Sequence, residues 1–129
     1  MHVALFWAKV RSEWQNEAYA SIGLKMFETA VSMPGFVALH KFDVPDGREL
    51  AIAYFESEEA MAAWYDHPDH RVVQTLGRRE ILEDYTIEIL EMTRSYTKAT
   101  STFVATGHEE QAADELAATN VRPRRPVCR

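Results

Sequence analysis

The sequence predicts an α+β domain of order βαββαβ, with four antiparallel strands in one sheet and the helices crossing one of its faces. Two observations carry this. Four segments, His2 to Val10, Phe36 to Val44, Arg48 to Glu56 and Tyr85 to Tyr96, are apolar on one or both faces and have the length of strands. Between the first and second, and between the third and fourth, apolar residues return at helical spacing, whereas only Pro45-Asp46-Gly47 separates the middle two, as in a hairpin. A length of 129 residues suits one such domain: enough for a core, too little for two.

Each element has its own local cause. The first strand alternates Val3, Leu5 and Trp7 against Ala4, Phe6 and Ala8, so both faces are apolar and the strand is buried. Ser12 is the expected cap of a helix through Trp14, Ala18, Ile22, Met26 and Ala30 at i+4 steps, ended by Met33-Pro34-Gly35. After the third strand, Ser57 is placed to accept from free N–H groups, and Glu58 and Glu59 lie where the helix dipole favours carboxylates. Met61, Trp64 and Tyr65 follow at i, i+3 and i+4 and share a face. Pro68 suits the first position of a second helical piece through Val72, Val73 and Leu76, so the chain bends near Asp66-His67. Trp64 precedes that bend and His67, His70 and Arg71 lie at or after it, an arrangement that walls one side of a cleft.

Helices cover only one face of such a sheet, yet the strands are apolar on both. Phe36, Ala38 and Phe42 oppose Val37 and Leu39; Leu50, Ile52 and Tyr54 oppose Ala51, Ala53 and Phe55. Left open, the second face exceeds the apolar patch that soluble monomers carry. Its economical cover is a second copy of the same sheet, giving a two-fold homodimer.

Composition excludes several function classes. A hydrophobic share of 47% and a charged share of 26% are those of a soluble globular chain, and no apolar run reaches the roughly 18 residues of a membrane span. The start lacks the basic region of a secretory signal, so the expected location is the cytoplasm, with no membrane partner. The net charge is −6, and it is held by the body: residues 1–96 carry 16 acidic and 9 basic side chains. An acidic body argues against nucleic acid as a partner. The single Cys128 builds no disulfide framework or cysteine metal site. From Thr97 onward the composition changes, so the division is 1–96 and 97–129, the latter an extension with a short helix over His108 to Ala118 and an irregular Arg- and Pro-rich run over 121–126.

The run Trp64, His67-Pro68, His70-Arg71, with Met33-Pro34-Gly35-Phe36, Tyr54-Phe55-Glu56-Ser57-Glu58-Glu59, Gln74, Gly77-Arg78, Tyr85, Arg94 and Tyr96, resembles the antibiotic biosynthesis monooxygenase family. The likeness spans Met1 to Tyr96 and implies a ferredoxin-like sheet, two of which pack into a dimeric α+β barrel, with a pocket in each subunit between sheet and helices. One branch of that family oxidises polycyclic phenols to quinones with O2 and uses no metal or flavin. The phenolate itself supplies an electron to O2, and the protein contributes a dry pocket, a proton acceptor and donors to the anion. On that resemblance the catalytic group is Trp64, His67 and His70, with one histidine the proton acceptor. Arg71 and Tyr54 hold anionic oxygens, Trp7 and Phe6 stack on the rings of a small aromatic substrate, and His40 is either a pocket or a core histidine. No cofactor and no metal are implied; His67 and His70 have metal-ligand spacing but no third ligand is indicated. A second branch degrades haem with an Asn on the first strand and a His ten residues after the helix Trp. Here the first strand has no Asn and the tenth residue after Trp64 is Gln74, so haem is disfavoured.

The same residues have plainer roles open to them. Trp64 beside Met61 suits core packing, His67 before Pro68 suits a helix cap, and His70 and Arg71 suit exposed pairs with Asp66 or Asp69. The competing function class is a small-molecule binder without turnover.

Overall fold

Strand β1 (His2–Val10) lies inside a four-stranded antiparallel sheet of order β2-β3-β1-β4, with β2 Phe36–Asp43, β3 Glu49–Phe55 and β4 Leu82–Glu91. The computed structural model describes residues 1–120, so the irregular run expected over 121–126, and Cys128, lie outside the described residues. The helices of this first unit, Met1–Arg94, are α1 (Glu17–Val31), α2 (Glu58–Tyr65) and α3 (Pro68–Leu76). The expected α+β order and single antiparallel sheet are present.

Register settles which residues share a face. Directly opposed residues of an antiparallel pair point the same way, so Phe36 and Phe55, in edge contact at 5.8 Å, define one face together with Lys41, Glu49 and Ala53. Helix α1 lies on this face: Phe27 meets Phe36 edge-on at 6.4 Å and the Tyr19 hydroxyl donates to Glu49 at 2.6 Å. The core forms here, around Phe55, Ala8, Val10, Ala30, Met61 and Ile81. The opposite face carries Val3, Leu5, Trp7, Ala38, His40, Phe42, Leu50, Ile52, Tyr54 and Leu90. Phe42 is 53% exposed there and Leu90 45%.

Three boundaries differ from expectation. Ser12 does not cap α1: Ser12–Trp14 forms a 3-10 turn, and the Asn16 side chain accepts from the Tyr19 N–H at 3.2 Å. Asn16 also donates to the Glu13 carbonyl at 2.8 Å, closing the turn on itself, and Gln15 donates to that of Val10 at 3.1 Å, tying the turn to the strand before it. Trp14 therefore falls outside the helix, Ala18 is exposed, and the inward stripe runs through Tyr19, Ile22, Met26 and Ala30. Strand β4 begins at Leu82 and ends at Glu91, where Tyr85 to Tyr96 was expected. An antiparallel strand is only as long as its neighbour: His2 pairs with Glu91, the last rung is Met92 N–H to the Met1 carbonyl at 2.9 Å, and no strand remains for residues 93–96. Its early start follows from the π-helical turn Gly77–Ile81, which buries Ile81 and delivers Leu82 opposite Val10. Finally, Tyr65 is 50% exposed and does not share the inward face of Met61.

A second unit begins at Ser95 and contains α4 (Gly107–Ala118). Its start is a reciprocal capping box, the Thr106 hydroxyl accepting from the Glu109 N–H at 3.2 Å and the Glu109 carboxylate from the Thr106 N–H at 2.8 Å. No residue of α4 is buried.

Candidate functional site

The bend between α2 and α3 is built by caps. Ser57 accepts from the Ala60 N–H at 3.1 Å to open α2, and Asp66 and His67 close it through Ala62 and Trp64 carbonyls. His67 is the N-cap of α3, its Nδ1 accepting from the Asp69 N–H at 3.1 Å, with Pro68 in the first turn where its missing donor costs nothing. A helix leaves its last carbonyls without intrahelical donors. Two side chains one turn apart on α3 reach them: His70 Nδ1 lies 3.1 Å from the Trp64 oxygen, and Gln74 Nε2 donates to the Tyr65 oxygen at 2.9 Å.

These bonds place the His70 ring flat on Trp64, with centroids 4.1 Å apart and planes 13° apart, and edge-on to Tyr65 at 6.4 Å. His67 stands 6.1 Å from the same indole. Burial is the main reason the His70 pKa falls below 6.5; the bond to the Trp64 carbonyl opposes this, and the charge of nearby His67 adds to it. The ring is therefore neutral at pH 7. With its proton on Nδ1, shared with the Trp64 carbonyl, the ring presents a basic lone pair at Nε2. Trp64, His67 and His70 are thus brought together as the sequence suggests.

The other candidates are dispersed. Arg71 is exposed, 4.0 Å from the Asp66 carboxylate. Phe6 is half-buried on the helix-bearing face, 6.0 Å from the Tyr85 ring. Tyr54, His40 and Trp7 lie on the opposite face, so the sheet stands between them and α3; they line no pocket with His70 inside one chain. There His40 is exposed, 6.0 Å from the Tyr54 ring and 6.5 Å from that of Phe42, and so is not a core histidine. Trp7 donates its indole N–H to Glu88 at 2.7 Å and carries the Arg48 guanidinium 4.7 Å above its ring.

An open cavity of about 490 Å³ lies elsewhere, at the β2–β3 hairpin end beneath the start of α1. Gln15, Asn16, Tyr19, Asp43, Arg48 and Glu49 line it, and none of the sequence-predicted residues does. Beside Trp64, where a cleft was expected, the His70 ring stacks on the indole. Burial and the Glu49 carboxylate hold the Tyr19 phenol protonated far above its usual range. Sequence reasoning missed both Gln74's role and the Tyr19–Glu49 pair. The first carries a signal, an amide one turn after His70; the second joins residues thirty apart and carries none.

No family model matches the sequence. The uncharacterized protein YqjZ of Bacillus subtilis is 26% identical over 93 residues, covering 72% of this chain and 81% of that protein. Rv0793 of Mycobacterium tuberculosis superposes with a TM-score of 0.65 at 12% identity, over 75% of this chain and all of that one. A variant of SnoaB, a cofactor-independent oxygenase from Streptomyces nogalater, does so with 0.62 at 14% identity, over 73% and 94%. A structure named antibiotic biosynthesis monooxygenase gives 0.63 at 12% identity, over 73% and 100%. The chain thus has the ferredoxin-like α+β fold of structures named antibiotic biosynthesis monooxygenase.

Proposed function

We propose that the chain is a cytoplasmic, cofactor-independent monooxygenase that oxidises a phenolic aromatic molecule with O2, and that a second copy covers the open sheet face. The observation that carries the reading is the His70 imidazole, kept neutral by burial and stacked on Trp64, with Nδ1 engaged by the backbone and Nε2 left to take a proton. The fold likeness to a cofactor-independent oxygenase supports it. The phenol gives its proton to Nε2, and the phenolate transfers electrons to O2. For an anthrone, whose phenol tautomer carries one C–H at the ring carbon opposite the hydroxyl, that carbon takes one oxygen atom as the new carbonyl, and the other oxygen leaves as water with the C–H hydrogen and the proton returned from Nε2. Trp64 holds the base in place through its stack on the imidazole, and Arg71, next to His70 on α3, is the cation for the phenolate oxygen. Tyr54, His40 and Trp7 face the second copy in this arrangement.

One observation favours the second reading, a binder without turnover: the cavity at the hairpin end is polar and remote from His70. Oxygen uptake by purified, metal-depleted protein, offered a panel of hydroxylated anthrones and naphthols, separates the two. The monooxygenase reading expects one O2 consumed per quinone formed. Binding of panel compounds without uptake leaves the binder.

A further inference from the structure

His70 Nδ1 has two neighbours of opposite kind. The Trp64 carbonyl oxygen, at 3.1 Å, can only accept; Gln74 Nε2, at 3.2 Å, can only donate. The orientation of the Gln74 amide is set independently, because the same nitrogen bonds the Tyr65 carbonyl at 2.9 Å and exchanging nitrogen for oxygen would set two acceptors together. With its proton on Nδ1, the ring donates to Trp64. With its proton on Nε2, Nδ1 accepts from Gln74. A histidine's tautomer is ordinarily fixed by the one partner its second nitrogen has. Here each neutral form has a partner at nearly equal distance.

We propose that Gln74 is a positioning residue that makes His70 bistable between its neutral tautomers, so that Nε2 is a basic proton acceptor in one and a hydrogen-bond donor in the other. The Nδ1–H form takes a proton at Nε2, becoming transiently the imidazolium, and returns it from the same atom; the Nε2–H form has no lone pair there and withholds the base, all without movement of the ring, which the Trp64 stack holds in place. Exchange between the forms removes a proton from one nitrogen and adds one to the other through solvent, with no change in net charge. The charged alternative, with both nitrogens protonated, is opposed by burial and by His67; the Asp66–Arg71 pair nearby is exposed and screened. The catalytic meaning rests on the proposed role of His70 as base. The hydrogen-bond claim does not.

The test is the tautomer population of His70 in the full chain, read from its two ring ¹⁵N shifts at a pH where the ring is neutral. Both tautomers are expected above roughly a tenth of the population. Gln74→Leu removes the donor and shifts the ring to the Nδ1–H form. Gln74→Lys keeps a donor of similar reach and shifts it toward Nε2–H. A corner merely loosened by substitution moves both variants the same way, which overturns the proposal, as does a single tautomer in the parent protein. Because no ligand or turnover is involved, failure here is distinct from failure of the oxygen-uptake assay.

Discussion

His70 makes stability depend on pH in a defined direction. Its folded pKa lies below the unfolded value of about 6.5, so below that pH the unfolded chain binds a proton that the folded chain does not. The stabilisation is complete above about 6.5 and is lost as pH falls through the folded pKa. Thermal unfolding between about pH 7.5 and 5.5 is expected to show the midpoint dropping, and His70→Gln to flatten that part of the profile. An unchanged profile in the variant contradicts the burial argument. Trp64→Phe keeps an aromatic ring under His70 and is expected to cost about 0.5–3 kcal/mol in urea unfolding. The His67 cap and the place of Pro68 were legible in the sequence because both are local rules. That the His70 ring would lie flat on Trp64 was not, since it depends on the angle between α2 and α3, which no run of residues specifies by itself.

The order of elements was legible because hydrophobic periods of two and 3.6 residues are local, whereas several boundaries were set by partners far away. Strand β4 stops where β1 begins, and α1 starts where Asn16 can cap it once Gln15 is tied to Val10. The Gly35 turn between α1 and β2 shows the same dependence. Its φ is +82°, and a Cβ there would sit 2.5 Å from the Cβ of Ala60 in α2. Gly47, in the β2–β3 turn, has φ +90° with nothing within 4 Å. Both pay the left-handed backbone penalty of about 1–3 kcal/mol on substitution, but only Gly35 adds a clash. Gly35→Ala is therefore expected to lower the urea midpoint well beyond Gly47→Ala; equal losses would mean that α2 yields freely to the turn.

At the scale of the molecule, a pattern with both sheet faces apolar was legible, but not which alternate set the helices cover. Register answers that: Leu39 lies with Ala53 on the helix-bearing face and Ala38 with Tyr54 on the open one. If a second copy covers the open face, the unfolding midpoint rises with protein concentration. Ala38→Glu then gives a folded monomer by ultracentrifugation, while Leu39→Glu unfolds the chain. A concentration-independent midpoint in the parent would refute the dimer.

The role given to His70 within that assembly is tested most directly by oxygen consumption with a hydroxylated anthrone, comparing the parent with His70→Gln under equal folding and metal-depleted conditions. Uptake matched to quinone formation is expected, with at least a tenfold fall in kcat/KM for the variant, about 1.4 kcal/mol of lost transition-state interaction. Uptake unchanged in His70→Gln, or a parent protein that binds the anthrone and consumes no oxygen, would contradict it.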